Sequence, residues 1–163
     1  LTALKRLHDK GITLSAKLHH MYAMELFIAG SDDDFLAAEE TFLETMAQEG
    51  RSTDEVREAV CVLCRVYRLK GNVSRFMTYT LKDAVMGSTA EGCCELGRYY
   101  EACADWQEAL IWYLNAAQEA ESILDIRTST GLPAKHLAQI YRRLGMEEQA
   151  LLWEAQLSDE DPA

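Results

Sequence analysis

Three groups of residues in this 163-residue chain have the types and spacing to do chemistry. Asp32 and Asp34 form an Asp-x-Asp pair, and two carboxylates so placed can hold a divalent ion against a diphosphate. That chemistry needs a strand end, whereas this pair follows Gly30 in a helical context. A solvated acidic turn at a helix N-cap is therefore expected. Cys61 and Cys64 stand at i, i+3, and Cys93 and Cys94 follow downstream, which suggests four thiolates around zinc. Zinc sites hold such pairs in tight turns, but this pair falls within a helix, where buried cysteine acts as a small hydrophobe. The histidines are His8, His19, His20 and His136. His19 is expected in the core or an interface, and His20 facing a groove. No His-Glu-x-x-His, glycine-rich phosphate loop or Ser/His/Asp set can be assembled from the chain. The sequence points to no catalytic residue, no metal site and no cofactor.

Composition narrows the classes further. The net charge is −11 with 48% hydrophobic residues, which argues for a folded chain and against nucleic-acid binding, since that needs a basic surface. No apolar run reaches the length of a membrane span, and no signal peptide is visible. Five cysteines without a disulfide-framework spacing are read as reduced thiols of a cytoplasmic protein. The first residue is Leu1 rather than Met, so a piece of a longer protein is expected.

The elements that must position these residues are helices. Ala109, Trp112, Tyr113, Ala116 and Ala117 recur with helical spacing, as do Leu96, Tyr99, Tyr100 and Cys103. Ser52 with Glu55, Ser88 with Glu91 and Asp105 with Glu108 have capping-box spacing. Gly30, Gly71 and Gly145 stand where helices should stop. The pattern predicts helices over 2–9, 15–29, 34–48, 53–70, 73–86, 89–103, 105–120, 132–144 and 146–157, with 1–11 a leading helix or linker and 158–163 a frayed acidic tail.

These helices pair, and the pairs repeat. The run GCCELGRYYEACADWQEALIWYLNAA (92–117) resembles the tetratricopeptide consensus: Leu96-Gly97 and Tyr100 match its first helix, and Ala109, Tyr113 and Ala116 its second. Small Gly97 and Ala109 would let two backbones approach, with Tyr100 and Tyr113 filling the space around them. Ala23, Cys64, Gly97 and Ala138 are the equivalent small positions of four units, at spacings of 41, 33 and 41 residues. The family period is about 34, so insertions are placed at 31–34 and 122–132. Phe76 stands where a small residue is expected, which predicts a distorted second pair. The resemblance implies an all-α superhelical stack of about four antiparallel hairpins over 12–157. Trp106, Trp112, Tyr113 and Trp153 are read as packing residues before sugar platforms.

A narrower resemblance covers roughly residues 12–157. YAMELFIAG (22–30), the 92–117 run, QEAESILDIRTSTGLP (118–133) and HLAQIYRRLGMEEQA (136–150) resemble the helical-repeat region that follows the catalytic domain in bacterial family 2 glycosyltransferases. The insertion at 122–133 is the most specific part, because generic repeats lack it. The resemblance implies an accessory, non-catalytic domain whose nucleotide-sugar domain lies upstream. The alternative is a free-standing tetratricopeptide adaptor or peptide sensor.

In stacked hairpins the first helices line a concave face. Mapping each unit from its small residue gives 20 groove positions, of which seven are Lys or Arg, against about two expected by chance: Lys17, Arg65, Arg68, Arg98, Lys135, Arg142 and Arg143. His20 and Gln139 fall on the same face, as do Phe27, Glu58, Cys61, Glu91 and Cys94. The expected partner is a protein or peptide of anionic character, or an acidic surface of the catalytic domain of the same full-length protein. Neither nucleic acid nor membrane insertion is expected. Pairing of these bases with neighbouring glutamates is the competing reading.

Overall fold

The computed structural model describes residues 1–11 and 13–160. It is all-helical, with no strand among the described residues. Ten α-helices run in order: α1 (Thr2–Asp9), α2 (Ala16–Ala29), α3 (Asp32–Ala37), α4 (Glu39–Ala47), α5 (Thr53–Lys70), α6 (Val73–Val85), α7 (Ala90–Ala102), α8 (Trp106–Gln118), α9 (Gly131–Arg143) and α10 (Glu147–Glu160). A 3-10 turn, Ile126–Ser129, lies between α8 and α9. None of these helices is long and apolar enough to cross a membrane. The chain divides into two compact units, Leu1–Gly87 and the residues from Ser88 onward.

Helix starts follow side-chain chemistry. Ser52 and Glu55 form a complete capping box on α5, as do Ser31 and Asp34 on α3. Asp105 accepts from the Glu108 amide at the start of α8, so each of these caps satisfies an amide that the first turn leaves without a partner. Gly71 ends α5 at φ 69, a left-handed conformation that costs a residue with a Cβ more than glycine.

Several expectations are corrected. The helix predicted over 34–48 is two helices broken at Ala38, and the Ser31 cap starts the first of them at Asp32. Gly30 ends α2 in an extended conformation, φ −74 and ψ 140, rather than a left-handed one. The predicted Ser88–Glu91 box does not form: Thr89 caps α7 through the Gly92 amide, 3.0 Å away, and Ser88 takes φ 57. The tail predicted from 158 is helical through Glu160, since no glycine or proline interrupts the chain before it; residues 161–163 of that tail lie outside the described residues, as does Ile12, where the repeat region was expected to begin.

In the first unit α5 is the central post, with α2, α3, α4 and α6 packed on it. Ala59, Val60, Cys61, Val62, Leu63 and Cys64 are all fully buried. Over 59–64 the helix is enclosed on every side, which is why Cys61 is buried and not lining a groove, and Glu58 one turn earlier is also buried. Phe27 is buried as well. Phe76, at the position where a small residue was expected, is 1% exposed.

In the second unit α7 packs on α8, α8 on α9 and α9 on α10. Ala90, Cys93, Cys94, Ala109, Tyr113, Ala116, Leu137 and Ile140 form its core, with Trp106, Trp112 and Trp153 against it. Gly97 is the tight joint: a Cβ there would meet the Tyr113 ring at 2.7 Å. The segment between α8 and α9 is tied down at one buried carboxylate. Glu91, 0% exposed, accepts from the amides of Ile123, Leu124 and Asp125 at 2.8–3.2 Å. The Ala90 amide donates to the Glu121 carbonyl at 2.9 Å, and the Cys94 thiol to the Thr128 carbonyl at 3.1 Å.

Candidate functional site

The first-turn side chains of α8, the last turn of α7 and the outer face of α9 enclose an open cleft of ≈ 480 Å³, lined by Glu101, Trp106, Gln139, Ile140 and Arg143. Its volume falls within the range of ligand clefts. Trp106 reaches it because Asp105 starts α8 one residue earlier, and one edge of the indole packs on the core. Arg143 lays its guanidinium over the Trp106 ring, 4.5 Å from the centroid, a cation–π contact that holds the charge at the rim.

Lys135, Gln139 and Arg143 are spaced i, i+4, i+8 on α9, so they form one row along one side of the helix. All three are exposed. Among the described residues neither Lys135 nor Arg143 has a carboxylate partner. Arg142, one residue from the row, turns the other way onto α10: it pairs with Glu147 at 3.0 Å and also with Glu154. The two adjacent arginines therefore separate the two readings of the basic residues. Arg142 is held in an internal ion pair, whereas Arg143 faces a cleft.

Behind the cleft lies a polar cluster on three helices. His136 Nδ1 of α9 lies 2.6 Å from Glu101 Oε1 of α7, close but without the alignment of a hydrogen bond. The His136 ring stacks on Tyr113 of α8 with centroids 4.8 Å apart. The Tyr113 hydroxyl is buried and likewise has no aligned partner. Burial pushes its phenol far above the ordinary range, and the nearby Glu101 carboxylate adds to the push. Burial also acts to raise Glu101, but His136 and Tyr113 more than offset it and hold the carboxyl below its usual value. The cluster fixes a carboxylate at the cleft wall in its charged form.

The other expected site residues lie elsewhere. Arg98 is partly buried on α7, and its charge bears on Glu101 and Tyr113. In the first unit Lys17 is exposed on α2. His20 bonds to Glu58 at 3.0 Å, while neighbouring His19 is fully buried and bonds to Thr45 at 2.9 Å. Arg65 lies over the rings of Phe27 and Phe35, 4.6 and 4.5 Å from their centroids, and Arg68 is partly buried. Of the nine predicted site residues, the cleft gathers Gln139 and Arg143, with Lys135 one turn along the same row. The mapping was wrong at Phe27, Glu58, Cys61, Glu91 and Cys94, all buried.

The sequence reading missed His136 as part of a cluster and took Trp106 as packing alone. Trp106 does both: it packs on the core and faces the cleft. The only signal for His136 was its spacing, one position after Lys135 and three before Gln139, and that spacing does not reveal a contact with α7.

The remaining chemistry-bearing groups are structural. Asp34 closes the α3 capping box, and the hydrogen bond from the Ser31 amide holds its carboxyl below the usual range. Cys61, Cys64, Cys93 and Cys94 are buried, and burial pushes the Cys94 thiol well above its ordinary value. No three metal-ligating side chains gather among the described residues.

No protein-family model matches the chain, and no curated protein shows significant similarity to it.

Proposed function

We propose that the chain is a non-catalytic helical-repeat scaffold of tetratricopeptide type that binds a carboxylate-bearing peptide segment along α9. The observation that carries the reading is the row Lys135–Gln139–Arg143: two cations without carboxylate partners among the described residues flank an amide beside an open cleft, on a chain whose net charge is −11. Arginine suits this task because its planar guanidinium can hold a carboxylate through two parallel hydrogen bonds. The Gln139 amide can donate to and accept from a peptide backbone. Trp106 offers apolar area beside the charge, and Glu101, already held by His136, sets a polar limit to what enters.

Support for the repeat reading comes from burial at the equivalent small positions. Ala23 and Cys64 are fully buried, Gly97 is buried with the Tyr113 ring where a Cβ would stand, and Ala138 is 3% exposed. Support for a glycosyltransferase accessory role comes from the insertion at 122–133 and the runs that flank it. In that setting the acidic segment belongs to the catalytic domain of the same full-length protein; in a free-standing adaptor it belongs to another protein. Both readings share the same ligand chemistry.

The test is binding of a fluorescein-labelled peptide carrying a Glu-rich segment, with neutral and Lys-rich peptides of equal length as controls. Anisotropy should report binding of the acidic peptide alone, weakening as salt rises. Trp106 fluorescence should change in step. Arg143→Ala removes a charge-assisted contact worth about 1.5–3 kcal/mol when desolvated, and at this exposed rim about a tenfold loss is expected. Equal affinity for all three peptides, or an Arg143→Ala variant that binds as well as the wild type, sinks the reading.

A further inference from the structure

The cations of the α9 row stand at a fixed separation. Lys135 and Arg143 are eight residues apart on one side of a single helix, and at 1.5 Å per residue they lie about 12 Å apart along its axis. An extended chain rises about 3.3 Å per residue and returns every second side chain to the same face. Two carboxylates four residues apart in such a chain are therefore about 13 Å apart on one face, which matches the row. Two residues apart they span only about 7 Å, and six apart about 20 Å. Odd separations put them on opposite faces.

The middle of the row selects the form of the ligand. Gln139 is exposed, and its side-chain amide makes no hydrogen bond among the described residues. A helical ligand has its backbone groups bonded internally, whereas an extended segment offers a free N–H and C=O to this amide. At one end of the row the Arg143 guanidinium lies over the Trp106 ring, 4.5 Å from the centroid. A guanidinium stacked by its face keeps its N–H edge for a carboxylate in its own plane. Beside the row the cleft is apolar, lined by the Trp106 ring and by Ile140, which is 2% exposed. Glu101 lines the same cleft, and its carboxyl is held below the usual range, so it is charged at neutral pH.

Resting on the acidic-peptide reading above, we infer that the cleft recognises an extended motif in the order acidic, any, apolar, any, acidic. The outer carboxylates meet Lys135 and Arg143, the backbone between them meets Gln139, and the midway side chain packs on Trp106 and Ile140. That midway side chain shares a face with the two carboxylates, and a third carboxylate there would face Glu101, which repels it. Glu101 thereby gives the cleft a preference that net charge alone does not produce: two acidic residues at the right spacing are taken over three.

The test uses fluorescein-labelled nine-residue peptides built on serine, with anisotropy followed up to about 1 mM. Two glutamates set two, four or six residues apart carry the same charge. The four-residue spacing should bind the wild type about tenfold more tightly than either of the others. Lys135→Ala and Arg143→Ala lie at the surface and should each bring the three spacings to one affinity. In the four-residue peptide, leucine midway should improve on serine severalfold, whereas glutamate midway should bind no better than serine despite its extra charge. In Glu101→Gln, which keeps the side chain's size, the peptide with glutamate midway should overtake the one with serine. The wild-type spacing series decides the motif even where a variant does not fold. Equal wild-type affinity at the three spacings overturns the motif and leaves the acidic-peptide reading standing. A midway glutamate that binds the wild type most tightly also overturns it. No binding of any of these peptides overturns both the motif and the reading on which it rests.

Discussion

The two units solve the same packing problem with opposite volumes. In the second unit the joint between α7 and α8 sets Gly97 against Tyr113, with Ala109 fully buried beside them. In the first unit α5, which carries Cys64, packs on α6, which carries Phe76 and Thr80, 33 residues before Ala109 and Tyr113. All three are buried. The large group has moved one turn along the second helix, and the small group has taken its place. Such a redistribution of volume is one that cores tolerate when the total is kept. The units also differ in how they bury charge. The first surrounds Glu58 with the side chains of His19 and His20, at 3.8 and 3.0 Å. The second gives Glu91 backbone amides only. Side-chain partners can rotate away or find water, whereas amides fixed in a pinned loop cannot.

That difference sets the largest expected effect. Glu91→Ala leaves the amides of Ile123, Leu124 and Asp125 without an acceptor in a buried place, and should destabilise by about 3–5 kcal/mol. Glu58→Ala frees two histidines, one of which already reaches solvent, and should cost about 1–2 kcal/mol. Urea unfolding of both variants ranks them; equal losses would erase the contrast. Hydrogen exchange in Glu91→Ala should rise first at 122–129, which would place the damage in the insert.

The volume contrast comes next. Gly97→Ala forces a Cβ against the Tyr113 ring, which is held in turn by its stack on His136, and should cost about 1–3 kcal/mol. Cys64→Ala removes one sulfur atom from a joint that already accepts a side chain, and should cost about 1 kcal/mol. A Gly97→Ala chain with the wild-type urea midpoint would mean that Tyr113 has room to yield and that the joint is looser than the 2.7 Å approach implies.

The smallest effect is electrostatic and appears in acid. Glu55 in the first unit is buried, which acts to raise its carboxyl, but Arg51 and Ser52 outweigh burial and hold it below the usual range. Glu101 in the second unit is lowered in the same sense by His136 and Tyr113. A carboxyl lowered in the folded state binds fewer protons than in the unfolded chain. Its contribution is therefore present above the unfolded value of about 4.3 and is lost as pH falls through the folded value. Stability should be level near pH 6 and drop below pH 4.5, and Glu55→Gln and Glu101→Gln should each flatten part of that drop. Urea midpoints measured between pH 3 and 6 check this. The lowered carboxyls of Asp34 and Glu154 are at the surface, where water screens them, and should add little.

Much of the helix pattern follows from local chemistry, which is why it is legible in the residues alone. Apolar spacing marks the faces of α7 and α8. Ser52 with Glu55 and Asp105 with Glu108 mark starts, and Gly71 marks a stop, because each acts on amides or dihedrals within four residues of itself. The closeness of Gly97 and Tyr113 was also legible, since a residue without a side chain amid aromatics on paired helices has few other uses. The nature of the face each helix presents was not. Whether Cys61 and Glu58 look outward depends on how many neighbours surround α5, and that number is a property of the packed unit. Glu91 had the spacing of a capping residue, but the amides of 123–125, more than thirty residues away, compete for its carboxylate and hold it more completely. Arg142 and Arg143 are adjacent and identical in type. Only the position of Glu147 and Glu154 on α10, and of Trp106 on α8, decides that one is an internal ion pair and the other faces the cleft.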